Sequence, residues 1–431
     1  MLRFVLGHVA ALFGAALFTF CFLVALQGAA MNLLSYRWFR RISPLVQLSA
    51  LIAVLLGFFL FPKMSALLDP RQVRLDPALF WYPPAWFVGL YQTMIGQAGP
   101  AMRKLAGMAV TALVAGAAAC ILTYTLSYWR HVRRSLETAP GAAGGPGSLQ
   151  RAQVWLADRV LLRHPLERAS FRFMARTLVR SRRHRLVLAT YTGLGVALAL
   201  DSLSLMILRL SHPSAARPSA TLLSIQLVLS FFVLCGLRYS FTIPAELRAN
   251  WVFQITEGDE GRRHIQAAKK VLAVFGGLPP IAVLFPLHLV LWGWRTALLH
   301  AAYSLALALL LAELLLLNFS KIPFTCSYLP GKANVRLLAS GYFLAFFTYA
   351  YYMASLEARL LGDPVMLLYF CGALLIGLAA WNLGTAFRRR ATRQSFALMF
   401  EDEPEPAVRI SSSIKPSLPV SGCACAAPLT R

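Results

Sequence analysis

The feature that most limits the fold of this chain is a series of apolar runs, each about twenty residues long and nearly free of charge. A helical run of that length matches the hydrocarbon thickness of a bilayer, whereas the core of a soluble domain needs only shorter apolar segments. Hydrophobic residues make up 58% of the 431 residues. The sequence therefore predicts an all-α, polytopic transmembrane helical bundle with amphipathic interfacial helices between some of its spans.

Windows of about twenty residues predict about nine spans along the chain. The predicted spans are roughly 5–34, 44–62, 105–128, 186–208, 220–237, 271–293, 297–318, 337–357 and 364–385. These spans and the basic stretches between them divide the chain into four regions. We expect 1–128 to hold three spans with an outer interfacial segment at 63–104, 129–185 to be a basic cytoplasmic segment, 186–390 to be a six-span bundle, and 391–431 to be a disordered cytoplasmic tail.

The charge of the chain predicts its orientation. Lys and Arg number 42 against 17 Asp and Glu, a formal net charge of +25. Basic loops resist translocation, and every large basic cluster falls on one side if the N-terminus is outside and the C-terminus is cytoplasmic. Because the chain begins so close to a span, we expect an upstream span to be missing or the start to be placed late. The charge favours anionic lipids as partners, and no motif for nucleic acid is present.

A segment after Pro244 is predicted to form an amphipathic helix, since its apolar residues Leu247 and Trp251 recur at helical spacing. It is too polar to cross a bilayer, so it lies along the cytoplasmic interface or docks a soluble partner. The mixed acidic and basic turn "EGDEGRR" that follows favours a protein partner over a purely basic lipid anchor. The predicted docking residues are Glu246, Arg248, Trp251, Phe253 and Glu257.

A second amphipathic helix is predicted after Pro165, with Phe171 and Met174 on its apolar side. Such a helix can bury its apolar side at the membrane while its arginines bind anionic lipid phosphates, at about 1 kcal/mol per charge. A role in docking a partner is an equal alternative. The arginines form a row with a spacing of four residues: Arg168, Arg172, Arg176 and Arg180.

Ionisable residues inside predicted spans are costly and indicate function by default. Asp201 and Glu313 lie at different depths, so they are not expected to pair. Glu313 is predicted to form a salt bridge with Lys321, two helical turns further on. For Asp201, a hydrogen bond in the bundle interior and a place on a permeation path both stay open. His288 and His300 carry less signal, because apolar spans tolerate a neutral imidazole.

Two further patterns concern packing. "WYPPAWFVGLYQTMI" (81–95) predicts a helix lying in the outer interface, with a re-entrant lid over an exit as the alternative. In the third predicted span, small residues recur every four positions, which predicts a close helix contact. These small residues are Gly107, Thr111, Ala115 and Ala119.

Motifs for enzymatic chemistry are missing from the sequence. "PGKA" (330–333) lacks the first glycine and the hydroxyl residue of a P-loop, and there is no HExxH, GxSxG or CxxC. The sequence therefore predicts no catalytic residue, no metal ligand and no cofactor, and it argues against an enzyme.

Three stretches resemble the type-2 permeases of ATP-binding-cassette exporters in bacteria. They are "YRWFRRISPLVQ" (36–47), "PAELRANWVF" (244–253) and "KIPFTCSYLPGKAN" (321–334). The resemblance implies a subunit of the inner (plasma) membrane that lacks its own ATPase, pairs with a separate ATPase through short interfacial helices, and forms a homodimer. Positions 244–257 and 151–180 would be those contacts. The chain departs from the pattern in its nine predicted spans, its outside N-terminus and the place of its outer helix.

We therefore expect a permease-like subunit of an ATP-binding-cassette exporter, with unknown substrate, energised by a separate ATPase. An integral membrane scaffold or assembly protein is the first alternative, since the same helices could dock a different partner while nothing crosses. A lipid-modifying membrane enzyme is the second alternative, in which the arginine row would hold a phosphorylated substrate.

Overall fold

The structure is a computed structural model of the full chain. It describes residues 1–34, 36–65, 77–137, 164–208, 218–245, 261–317 and 335–391, together with the short pieces 154–155, 159, 161–162, 319 and 322–325. These described residues are mainly helical, and no strand occurs among them.

Twelve α-helices are labelled here in chain order. They are α1 (Leu2–Leu33), α2 (Tyr36–Ser65), α3 (Pro83–Ile95), α4 (Pro100–Glu137), α5 (Pro165–Arg180), α6 (Arg182–Leu208), α7 (Ala220–Ser240), α8 (Gly261–Val271), α9 (Leu278–Leu315), α10 (Val335–Phe347), α11 (Met353–Leu360) and α12 (Pro364–Ala391). A 3-10 turn, Pro77–Trp81, precedes α3. Two π-helical segments, Leu272–Gly277 and Thr348–Tyr352, join α8 to α9 and α10 to α11.

Six of these helical stretches are long and apolar enough to cross a membrane. They are Leu2–Leu33, Pro100–Leu126, Arg182–Leu203, Ala220–Ser240, Arg263–Leu315 and Pro364–Thr385. Large apolar side chains such as Phe13, Val114 and Val290 are exposed on their outer faces. By length and composition, these helices mark the chain as a helical, multi-pass membrane protein, as the sequence predicts.

The longest stretch, Arg263–Leu315, is folded back on itself as a hairpin. Gly293 has φ 79° and ψ 168°, a conformation outside the helix that glycine adopts without a steric penalty. Residues 277 and 308 would be about 46 Å apart on one straight helix. Instead, a Cβ placed on Gly277 would lie 3.3 Å from the Cβ of Ala308. The two arms of α9, 278–292 and 294–315, therefore run in opposite directions, as expected for separate spans at 271–293 and 297–318.

The helices α5 to α12 form a bundle whose two ends differ. One end holds the turn at Gly293 and the turn at Gly362 between α11 and α12, and we name it the turn end. The other end holds Arg238, Lys269 and Lys270 together with α5, and we name it the basic end. The Nε of Arg238 donates to the carbonyl oxygen of Leu315 at 2.8 Å, which joins α7 to the last turn of α9.

The central helix of the bundle is α7. In its apolar window 72% of the residues are buried, against 28% or less in the other five candidates. It packs against α6, α9, α11 and both π segments. A Cβ on Gly236 would lie 2.7 Å from the Cβ of Tyr191, so α6 and α7 approach each other at a position that only glycine fits. The core of the bundle is therefore built around α7.

In the N-terminal region, α3 packs lengthwise against α1 and α4. Its end at Ile95 lies beside Gly7, and Phe87 lies beside Gly14 further along α1. The two helices therefore run alongside each other in opposite directions. The outer interfacial helix and its alternative, a re-entrant lid over an exit, both stay predictions.

The stripe of small residues in α4 does not make the predicted close contact within the described part of the chain. Gly107, Thr111 and Ala115 are exposed. Close approaches to α4 occur at other residues: a Cβ on Gly89 of α3 would meet the Cβ of Leu105 at 2.6 Å, and a Cβ on Gly28 of α1 would meet the Cβ of Thr123 at 2.8 Å.

The amphipathic helix α5 begins at Pro165, as predicted, behind His164, whose Nδ1 accepts from the amide of Leu166 at 3.4 Å. Its apolar side differs from expectation. Phe171 and Met174 are fully buried and belong to the same core cluster as α7, α8 and α9, so this side packs against protein and does not enter the membrane. Amphipathicity alone cannot distinguish the two, because lipid and protein cores are both apolar.

Candidate functional site

The predicted docking residues lie outside the described residues. Glu246, Arg248, Trp251, Phe253 and Glu257 belong to this set, so their role stays a prediction. The structure does describe Pro244 and Ala245, where the predicted helix begins.

The start of that segment is held in place by three hydrogen bonds. The amide of Ala245 donates to the carbonyl oxygen of Phe324 at 2.9 Å, and the amide of Phe324 donates to that of Phe241 at 3.1 Å. Nε2 of His184 lies 3.0 Å from the carbonyl oxygen of Ile243. Phe324 has a positive φ of 70°, an uncommon conformation for a bulky residue. Such a conformation persists where the surrounding structure fixes it, and here it brings the chain after α7 against the basic end.

An open groove of about 630 Å³ runs along α5 beside Ala245. Its lining combines arginines with small and aromatic side chains: Ala169, Arg172, Phe173, Arg176, Thr177, Arg180, Ser181 and Ala245. The side chains of Arg172, Arg176 and Arg180 are exposed. The groove therefore presents positive charge to solvent next to the start of the predicted docking helix.

Arg168, the first member of the predicted row, differs from the other three. It is half-buried, and its Nη2 donates to the carbonyl oxygen of Leu162 at 3.1 Å. It stabilises the chain that leads into α5. The other three, Arg172, Arg176 and Arg180, line the groove.

A cluster of polar contacts fixes α5 on α8. Glu167, largely buried, forms ion pairs with Lys270 and with Arg263, the latter at 4.0 Å. Ser170 and Nδ1 of His264 are hydrogen-bonded at 2.7 Å and both are buried. Since the apolar side of α5 is also buried, the helix that lines the groove is held firmly against the rest of the bundle.

Glu313 is ion-paired, as predicted in kind, but the described partner is Lys269 of α8. Asn382 of α12 completes the group: its Nδ2 donates to Glu313 at 3.0 Å, and its Oδ1 accepts from Lys269 at 2.9 Å. Lys321, the partner predicted from sequence spacing, lies outside the described residues. The three side chains join α8, α9 and α12 at the basic end.

Asp201 of α6 is half-buried and interacts electrostatically with the hydroxyl of Tyr351. It lies in the last two turns of α6, whereas Glu313 lies in the last turn of α9. Both alternatives for Asp201 stay open.

The turn end holds a polar pair that the sequence analysis did not identify. Nδ1 of His300 lies 2.7 Å from Oε1 of Glu357, and both side chains are 0% exposed. His288, on the other arm of the hairpin, packs edge-on against His300 with ring centroids 4.7 Å apart. Glu357 lies at the end of a predicted span, so it could have been identified as a candidate by the same criterion as Asp201 and Glu313. Its partner, 57 residues away, has no signature in the sequence.

Within the described part of the chain, no group of three or more His, Cys, Asp or Glu side chains is placed to hold a metal ion. Comparisons with protein-family models, with curated proteins and with solved structures gave no match. The fold defines a class, the helical multi-pass membrane proteins.

Proposed function

We propose that this chain is a permease-like subunit of an ATP-binding-cassette exporter, energised by a separate ATPase that docks at the basic end. The observation that carries the proposal is the arginine-lined groove on α5, which adjoins Ala245 at the start of the predicted docking helix. Exposed arginines next to an amphipathic segment suit an acidic protein surface, because charge complementarity guides such partners together.

The rigidity of the basic end supports a docking role. Force from an ATPase reaches the spans only if the docking elements are fixed to them. Here α5 is held on α8 by Glu167 and Lys270, and α8 is held on α9 and α12 through Lys269. The groove is therefore mechanically continuous with at least three helices of the bundle.

The proposal includes about nine spans in a bacterial inner membrane, with the basic end in the cytoplasm. The hairpin at Gly293 makes two spans of Arg263–Leu315. The shorter apolar helix Leu45–Phe61 and the stretch 335–360, which stays helical through its π segment, supply the remaining two. The positive-inside rule supports this orientation, and anionic head groups and a second copy of the chain are expected neighbours.

The test is purification of the full chain from native membranes, with vanadate-sensitive ATP hydrolysis and mass spectrometry to identify a bound ATP-binding-cassette ATPase. We expect Trp251→Ala, Arg248→Glu, or Arg172→Glu combined with Arg176→Glu to remove the ATPase. The matched control is Arg182→Glu combined with Arg185→Glu, which reverses the same charge at exposed positions outside the groove.

The control should retain the ATPase. Repeated isolation without any ATPase, or equal loss in the control, would contradict the proposal.

A membrane scaffold is the second candidate, and one observation favours it. In the described core, Ser230 of α7 is hydrogen-bonded to Tyr349 at 3.0 Å, and the next core side chains toward the basic end, Leu234 and Leu237, are apolar. A scaffold can keep this packed core closed, whereas an exporter must open the core to let a substrate pass. Stimulation of the bound ATPase by a transported substrate would favour the exporter.

A further inference from the structure

The turn end holds the most deeply buried ionisable pair of the described residues, His300 and Glu357. Each lies on a different helical element, the second arm of α9 and α11. Both are fully buried, and their side chains are joined at 2.7 Å. Ionisable residues at such positions in membrane helices are costly and indicate a functional site by default.

The pair is incompletely satisfied. Nε2 of His300 and Oε2 of Glu357 have no hydrogen-bond partner among the described residues. Nε1 of Trp292 and Oγ of Ser304 are also buried without a hydrogen-bond partner among the described residues. A buried polar group left without a partner costs about 1–3 kcal/mol, so a pair with a purely structural role would be expected to satisfy both of its outer atoms.

The hairpin at Gly293 places aromatic rings against the pair. His288 stacks on Trp292 with centroids 4.7 Å apart and an interplanar angle of 9°. Both rings meet the ring of His300 edge-on, at 4.7 Å and 5.6 Å. His288 is thus a second imidazole in contact with the pair, and Trp292 is an optical probe beside it.

The hydrogen bond between His300 and Glu357 is compatible with two protonation states. In the neutral state, a proton lies between Nδ1 and Oε1, and Nε2 carries the second ring proton. Removal of that second proton leaves Nδ1–H donating to the carboxylate, and the pair has a charge of −1. The contact persists in both states, so one proton can be bound and released without breaking the pair.

We propose that His300 and Glu357 form a proton-binding site at the turn end, which takes up and releases one proton. The ligand is the proton itself, and the pair alternates between neutral and singly negative. The site links protonation to packing, because the pair joins α9 to α11. A second contact, from the hydroxyl of Tyr303 to the carbonyl oxygen of Met353 at 2.9 Å, joins the same elements.

Other titratable groups surround the pair and belong to any account of its pH dependence. Tyr303 on α9 and Cys371 on α12 interact electrostatically with Glu357. From the π segment before α11, Tyr349 interacts with Tyr303. The charged side chains near the turns of the same end are Arg295, Arg359 and Asp363, and all three are exposed.

The test uses the purified full chain in lipid nanodiscs, without any ATPase, so its outcome is independent of the exporter proposal. Infrared difference spectra between acidic and alkaline buffer report the C=O band of a protonated carboxyl group. We expect one such band to be lost in Glu357→Gln, which keeps the size and a hydrogen bond to His300. The matched control is Glu313→Gln, at the ion-paired carboxylate of the basic end, which should retain the band.

A second measurement follows the wild-type chain itself. The emission of Trp292, obtained as the difference between wild type and Trp292→Phe, should change with pH, because the net charge of the neighbouring pair changes from zero to −1. Glu357→Gln should shift the midpoint of this change. A carboxyl band that persists in Glu357→Gln, or Trp292 emission that is constant over the pH range in which the protein stays folded, would overturn the proposal.

Discussion

The ionisable side chains at the two ends of the bundle differ in their exposure and in their hydrogen bonding. At the basic end, Lys269 and Glu313 retain side-chain exposures of 26% and 17% and are joined in a group with Asn382. At the turn end, His300 and Glu357 are 0% exposed and keep unpaired atoms. Partial exposure makes an ion pair inexpensive and weak, whereas full burial makes each partner depend on the other. The basic end is therefore suited to holding helices together, and the turn end to a change of protonation.

The largest expected effect is at the turn end. Glu357→Ala leaves a buried imidazole without its partner, and we expect a loss of about 3–5 kcal/mol in the free energy of unfolding. Thermal or denaturant unfolding in nanodiscs measures it, with Glu357→Gln as the variant that keeps the shape and should cost less. If Glu357→Ala is as stable as wild type, the pair is not the tightly coupled element described here.

The second effect tests whether the apolar side of α5 faces protein. Met174 is fully buried, and Met174→Ala should cost about 2–5 kcal/mol in stability through the cavity it leaves. Arg176→Ala, on the exposed side of the same helix, is the matched control and should be close to neutral. Equal, small effects at both positions in detergent would indicate that α5 detaches from the bundle.

The third effect is smaller. Lys269→Met removes the charge that contacts both Glu313 and Asn382 but keeps much of the apolar stem, and the expected cost is about 1 kcal/mol. Unfolding measurements at low and high salt check it, because a partly exposed pair is screened by ions. A cost as large as that of Glu357→Ala would remove the distinction between the two ends.

The smallest expected effect on stability is in the groove. Arg172→Glu combined with Arg176→Glu changes exposed side chains and should alter stability by no more than about 0.5 kcal/mol per site. The same variant should lose the bound ATPase, so unfolding curves and copurification are measured on one preparation. If this variant unfolds, the two arginines stabilise the fold of the basic end, and loss of the ATPase would not show that they bind it.

Much of the fold could be predicted because apolar length and helix punctuation are local properties. The turn at Gly293 falls between two predicted spans, and α5 begins at Pro165, each from signals within a few residues. The sequence also predicts a lysine partner for Glu313, since a carboxylate near the end of a span needs a cation within reach.

The contacts between helices that are far apart in the sequence could not be predicted. The exposed stripe that includes Gly107 and the buried side of α5 that includes Phe171 show this limit, because sequence periodicity defines a face but not its partner. The pairing of His300 with Glu357 likewise depends on the fold-back of α9 and the approach of α11. The docking residues around Trp251 lie outside the described residues, so the prediction for them is unchanged.

The most direct test of the central claim is photocrosslinking from Thr177, inside the groove, in native membranes, with mass spectrometry of the adduct. A probe at Ser355, exposed on α11 near the turn end, supplies the comparison. The account predicts an ATP-binding-cassette ATPase crosslinked from Thr177 and none from Ser355. Adducts with phospholipid alone at both positions would contradict it.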